Sequence, residues 1–594
     1  MFDFLQHGFI TLDDESILNR RITREERLES IALHGIVPSL VEASKICTSM
    51  DLGVQNLRRP EEERIILGSL DTKLRNQLYK KLTPRSVVFT PSALMQYTKE
   101  IISHAADTGS RPTLEDIFRY SLSINREQNT IEGLDLGSLP NPSVETFQDL
   151  HQKHLIEELA IRSFNRTGSV QELMTFTTYM WLKEWPKTPR TKKYSQRPAD
   201  VFSEVMGFDH ADFLAVGWCV CTDISSGMPL INCDDLLARG LPEMAVNFFF
   251  DRFSIDIETL RSNLLESTPE HQDTHEEIAH LPWMKAEFQR FPLIRFSDKW
   301  AIAVRLQYVA ERFFGHLPIQ DVAAALAIED AAASENFLRA IDDVFERRVG
   351  ESFKRSAENS GGSNRNVVGE SQMNSRWKKR TGKSTGKSKN CDWAFSSGSL
   401  CLVSDANNRS LRPQISEGTG SFDQFNKDLM NNLVEHKFTQ LISTIEKFQL
   451  HGWNEAEFKV TPKTTFIPIV IVPDNGIILT ELIDQLLIKH SQPNFNIFGS
   501  KVTPPAVLSW NDLVVLEGIS DKYGVDIVEV LGQWRWTVVT PRAPLGLPDF
   551  VTLHDFLLRR WNDRPISREI THEITDTIAV LEKRRSSYGK LGAR

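Results

Sequence analysis

The sequence predicts an α+β protein in which a large, mostly helical N-terminal region precedes an α/β core and helical C-terminal additions. Three observations carry this expectation. Apolar residues recur three and four apart through most of the first 290 residues, a continuous β-branched run stands at FIPIVIV (466–472), and strand-like segments before that run alternate with helical ones. With 594 residues, 40% hydrophobic and 25% charged, the chain falls in the globular range and can fill more than one core.

Residues 1–290 supply the helical region through segments such as SALMQYTKEIISHAA and VQELMTFTTYMWLKEW, broken at LPNPS (139–143) and WPKTPRTKKYSQRP (185–198). They show no fixed-period repeat, so no solenoid is expected. Residues 291–353 open with FPLIRFSDKWAIAV, a strand, a Ser-Asp-Lys turn and a second strand, and continue in helices that lead into the core. Residues 354–390 turn polar, rich in Ser, Gly, Asn and Lys, a composition expected to form a flexible basic insertion.

Residues 391–540 form the expected core. CDWAF, a Ser-Ser-Gly-Ser turn and LCLVSDANNR give a hairpin signal; a helix follows over 422–450, and FIPIVIV matches a strand buried on both faces. ILTELIDQLLIKH and VLSWNDLVVLEGISDKYG are both expected to be helical, and 541–594 a helical C-terminal segment.

No run of 18 apolar residues occurs, and the N-terminus carries acids where a signal peptide needs an apolar stretch, so no membrane and a cytoplasmic setting are expected. Six scattered cysteines do not make a disulfide framework. The net charge of -10 argues against a general nucleic-acid coat. It is unevenly spread: residues 354–390 hold ten basic and two acidic side chains, a charge of +8 that leaves -18 for the remainder. Seven of those basic residues lie between Arg376 and Lys389. Arg376, Lys378, Lys379, Arg380, Lys383, Lys387 and Lys389 could contact phosphates with Trp377 stacking on a base, or could form a solvated loop.

Asp405 and Asn407 are two apart and share a face if their strand stays extended, and the hairpin brings Asp392 near them. Two carboxylates on adjacent strands suit Mg²⁺, which commonly takes one or two carboxylates and completes its shell with waters and phosphate oxygens. The same residues have a plainer reading, with 405–409 a strand-ending turn and Glu346 a solvated helix residue beside Arg347 and Arg348.

At this point the chain resembles the PD-(D/E)XK, or restriction-endonuclease-like, nuclease superfamily. VFERR places Glu346 on a helix, CDWAF supplies Asp392, SDANN supplies Asp405 with Asn407 at the lysine position, and KFTQLISTIEKF carries Gln440 on the following helix. The resemblance covers about 335–475 and implies a core with a mixed sheet, Mg²⁺ held by Asp392 and Asp405, and catalytic work by Glu346, Asp392, Asp405, Asn407 and Gln440. It also implies nucleic acid, DNA foremost, as partner and bacterial mobile-element or phage defence as setting.

The family's lysine offsets developing charge, which the amide of Asn407 cannot do. Lys387, Lys389, Lys427 and Lys437 are the nearest replacements in sequence. Without one, the same fold would serve as a catalytically decayed scaffold or nucleic-acid-binding interaction protein, with protein partners met by the helical N-terminal region.

Other motifs lead nowhere. The Gly-Lys-Ser pairs at 382–388 lack the upstream glycine of a phosphate-binding loop, and HEEIAH (275–280) has one residue too many for a zinc-protease helix. Cys219 and Cys221 sit in an apolar stretch that suits core better than zinc. Neutralising Arg376, Lys378, Lys379 and Arg380 together is expected to weaken nucleic-acid binding and to flatten its dependence on salt, as read from affinities measured across a salt series.

Overall fold

The computed structural model describes residues 10–55, 59–83, 86–129, 159, 161, 163–165, 170–183, 196–266, 284–361, 366–381, 390–408, 415, 420–455, 458–473, 477, 479–539 and 552–591. Its architecture is α+β: a large helical region packed beside a mixed-sheet core. Among the described residues no helix is long and apolar enough to cross a membrane.

The helical region also contains a small sheet. Strands β1 (Leu230–Asn232), β2 (Ser254–Asp256), β3 (Leu293–Arg295) and β4 (Trp300–Ala303) pair in the order β1-β4-β3-β2. The hairpin expected from FPLIRFSDKWAIAV is β3–β4, with Leu293 opposite Ala303. It does not open a new unit at residue 291, because β1 and β2 from the preceding region complete its sheet. Strands of three residues carry no alternation for a sequence to display, which is why 1–290 read as helical throughout. Ile294 and Ile302 join the core beneath the first helices, whereas Leu293, Ala301 and Ala303 join the larger core shared with the second half.

The core begins with the long helix α1 (Ala331–Asn359), followed by β5 (Val367–Gly369), α2 (Glu370–Thr381), β6 (Trp393–Ser397) and β7 (Leu400–Ala406). Helix α3 then runs as Phe422–Leu429, a π-helical stretch Met430–Phe438, and Thr439–His451. It leads to β8 (Thr465–Val472), α4 (Glu481–Phe495), β9 (Ala506–Ser509), α5 (Trp510–Tyr523) and α6 (Ile527–Val539). The five strands order as β9-β8-β7-β6-β5, parallel among β9, β8 and β7 and antiparallel from β7 to β5. FIPIVIV is the central strand and is buried on both faces, as its unbroken apolar run demands.

Alternation along the strands sorts the side chains into two layers. Phe395, Leu402, Ile467, Ile469 and Leu508 face α1, α5 and α6, and Ala394, Cys401, Val403, Val470 and Val507 face α3 and α4. The helical C-terminal segment is present as Leu553–Trp561 and Arg568–Leu591.

Two expectations need correction. The 354–390 insertion is in part ordered: 354–359 finish α1, β5 forms the sheet edge and α2 packs on it. Val367, Val368, Met373 and Trp377 are buried, and the four-residue spacing of Met373 and Trp377 puts both on one helical face. Averaging over a polar segment hides so short an apolar stripe. Likewise VLSWNDLVV is not one helix: its first residues are β9, and Ser509 caps α5 by accepting from Asp512 N, with Asp512 accepting in return from Ser509 N.

Gly350 and Gly369 set the spacing between α1 and the hairpin. A Cβ built on Gly350 would lie 2.1 Å from the Trp393 indole, whose Nε1 donates to Glu346 O at 2.8 Å. Gly350→Ala is expected to destabilise the protein by about 1–3 kcal/mol through this overpacking, measurable as a fall in thermal or denaturant midpoint.

Candidate active site

The site is founded on the register of the β6–β7 hairpin. Gly398 and Ser399 form a two-residue loop, and Gly398 at φ 56° takes the positive-φ position that such a turn requires. Ser397 then pairs with Leu400 and Trp393 with Ser404. One further step sets Asp392 opposite Asp405, on the same face as Ala394, Cys401 and Val403, toward α3. Asp405 is fully buried within β7, so it is not part of a strand-ending turn. The Asp392 carboxylate accepts from Ala406 N at 2.7 Å, its backbone O accepts from Glu370 N at 2.8 Å, and Asn407 N donates to Ile471 O at 2.8 Å.

Helix α3 brings the cation that the strand motif lacks. Lys437 donates to Asp405 Oδ1 and, at 3.0 Å, to Ala406 O. It lies near the end of the π-helical stretch, a geometry that is rare and frequent at functional sites. Gln440, three residues on, faces the same way. Thr444, one turn further, accepts from Cys391 N at 2.8 Å and donates to Gln440 O at 2.9 Å, which ties the residue before Asp392 to α3.

From the other helical layer, α1 presents Glu346, half-buried. Glu346, Asp392, Asn407, Lys437 and Gln440 all line one cavity of about 680 Å³ at the end of the sheet. Glu370, at the start of α2, lines it too and was missed in the sequence. The available signal was the apolar pair Val367–Val368 just before it, the mark of a short strand ending at this point.

Burial and mutual repulsion shape the protonation of these groups. Burial, reinforced by Asp405, pushes Asp392 up to about 8. Glu346 is pushed up to about 8 by burial and then by Asp392, Asp343 and Glu370. Asp405 is raised by burial against the opposing pull of Lys437. The three titrate as a group rather than singly.

The donor set fits a divalent cation. Asp405 Oδ2 is buried without a hydrogen-bond partner, and its neighbours are carboxylates whose shared charge is costly where they stand. Among the described residues no group of three or more His, Cys, Asp and Glu side chains forms a ready metal cage. The fit is therefore to an ion such as Mg²⁺ held by Asp392 and Asp405 and otherwise by water and substrate oxygens.

The basic residues distribute differently from expectation. Trp377 is fully buried, its ring 5.2 Å from Phe448, and has no face to offer a base. Arg376 is ion-paired with Glu455 and stacked on Trp453 at 5.2 Å. Lys378 is exposed on α2. The side chains of Lys379 and Arg380, together with Lys383, Lys387 and Lys389, lie outside the described residues, as does the HEEIAH segment. Cys219 and Cys221 are buried in a helix, and no disulfide joins any of the six cysteines. Compared with protein-family models, curated proteins and solved structures, the chain matches none.

A carboxyl whose pKa is higher folded than unfolded makes the fold less stable as pH rises from the ordinary carboxylate range through the raised value. Without divalent cation, the thermal midpoint of the native chain relative to Asp392→Asn should therefore fall between pH 5 and pH 8. Mg²⁺ should raise the native midpoint more at pH 8 than at pH 5 and leave Asp392→Asn nearly unmoved. Equal Mg²⁺ responses from the two proteins would remove Asp392 from the cation site.

Proposed function

We propose that this chain is a divalent-cation-dependent phosphodiesterase acting on nucleic acid, DNA foremost, in the setting of bacterial mobile-element or phage defence that its family resemblance implies. The observation that carries the reading is the Lys437 ammonium at the Asp405 carboxylate. It supplies from α3 the positive charge that Asn407 cannot supply from β7.

Asp392 and Asp405 would hold Mg²⁺, which when bound neutralises charge on the phosphate oxygens as a Lewis acid. Glu346, in its ionised form, accepts a proton from the water that attacks phosphorus; its raised basicity suits a base working near neutral pH. Lys437 Nζ meets the charge that grows on the phosphoryl oxygens as the new P–O bond forms and the ester P–O bond breaks. The leaving oxygen takes its proton from solvent. Gln440 orients polar groups at the cavity wall, and Asn407 holds the strand end beside Ile471.

The rival reading, a decayed site on an interaction protein, is favoured by the lack of a three-ligand cage among the described residues and by Asn407 itself. Labelled single- and double-stranded DNA and RNA, incubated with Mg²⁺ or Mn²⁺, separate the two. The native chain should cut; Asp405→Ala should not; Lys437→Met should lose about 10²–10³-fold in rate. Adding Asn407→Lys to Lys437→Met should recover part of that loss. Nucleic-acid binding without cleavage by the native chain would establish the rival.

A further inference from the structure

The cavity has the wrong charge for a polyanion. Asp342, Glu346, Glu370, Asp392 and Glu435 line it, against Lys437 and His436 as its basic lining residues among those described. The Lys437 ammonium is already committed to Asp405 and Ala406 O. Even with protons held on Asp392 and Glu346, the carboxylates of Asp342, Glu370 and Glu435 remain. Asp342 accepts from Asn408 Nδ2 at 2.8 Å, a neutral donor that leaves its charge in place. Neither Glu370 nor Glu435 is ion-paired with a Lys or Arg among the described residues. An enclosed space of about 680 Å³ with low-dielectric walls concentrates this negative field instead of dispersing it.

A second observation points to what answers the field. Asp405 Oδ2 is fully buried and has no hydrogen-bond partner. An acceptor left bare beside a neighbouring carboxylate is satisfied by a cation and by no anion.

We infer that nucleic acid enters this cavity only together with a divalent cation, so that binding itself, and not cleavage alone, is cation-gated, with Glu370 and Glu435 as the gating residues. The inference rests on the nuclease reading and adds to it. A phosphodiester alone meets a wall of carboxylates. Once Asp392 and Asp405 share a cation, the same carboxylates favour the cation and the phosphate arrives at a site near neutrality. Glu370 comes from α2 and Glu435 from α3, so the gate is built by two elements, one on each side of the cation-holding strands.

The test is equilibrium fluorescence anisotropy with labelled single- and double-stranded DNA and RNA. The full native chain is compared in EDTA and in Ca²⁺, an oxygen-seeking cation, at matched ionic strength. Native affinity should be at least about tenfold tighter with Ca²⁺. The Glu370→Gln/Glu435→Gln protein should close most of that gap by binding more tightly in EDTA, with its Ca²⁺ affinity little changed. Equally tight native binding in EDTA and in Ca²⁺ would overturn the inference while leaving the nuclease reading intact. No binding to any of the nucleic acids in either condition would overturn both. A cation-dependent gap that persists unchanged in the double variant would overturn the role given to Glu370 and Glu435.

Discussion

Two carboxylates set directly across an antiparallel strand pair repel one another, and burial makes that repulsion more costly than it is at a surface. Asp392 and Asp405 stand in this relation, one step beyond the last paired residues of β6 and β7. The surrounding structure is arranged to bear the cost. Ala406 N donates to Asp392, Lys437 reaches Asp405, and burial keeps a proton on the group when no cation is present. The turn at Gly398 sets the whole arrangement. A slip of one residue would turn Asp405 toward the opposite layer, among Phe395, Leu402 and Ile467, where no polar partner waits.

The two helical layers then contribute separately to one end of the sheet. Helix α1 is held at a fixed distance by the Trp393 indole, which fits against Gly350 and donates to Glu346 O. Helix α3 is held by Thr444, bonded to the backbone just ahead of Asp392. Each layer thus grips the hairpin within two residues of a carboxylate, so the site's geometry depends on backbone contacts as much as on its charged groups. The cavity opens at the carboxyl end of the parallel strands β7 and β8, where α/β sheets commonly place their ligands.

Much of the site was legible from local pattern. Asp392, Asn407, Glu346 and Gln440 line one cavity and Asp405 stands beside them, because a hairpin signal with a Gly-containing turn already implies which residues oppose. Trp377 shows the limit. A tryptophan in a polar, basic segment reads as exposed, yet with Met373 it forms the apolar stripe that seats α2 on the sheet. The start of β9 was hidden in a longer apolar run for a similar reason: burial on both faces erases the period that separates strand from helix, and only the Ser509–Asp512 cap marks the junction.

The sequence by itself determined the helical first half, the hairpin, the central strand FIPIVIV and the set of acidic residues available for chemistry, because these follow from periodicity and turn residues over short spans. Only the tertiary structure decided which lysine serves the site. Four were near enough in sequence, and the choice of Lys437 follows from how α3 packs on the sheet and where its π-helical turn aims the ammonium. The same holds for Glu370 and for the acidic character of the cavity. Charge along a chain sums to little, whereas charge brought from α1, α2, α3 and β6 to one enclosed space is set by folding alone.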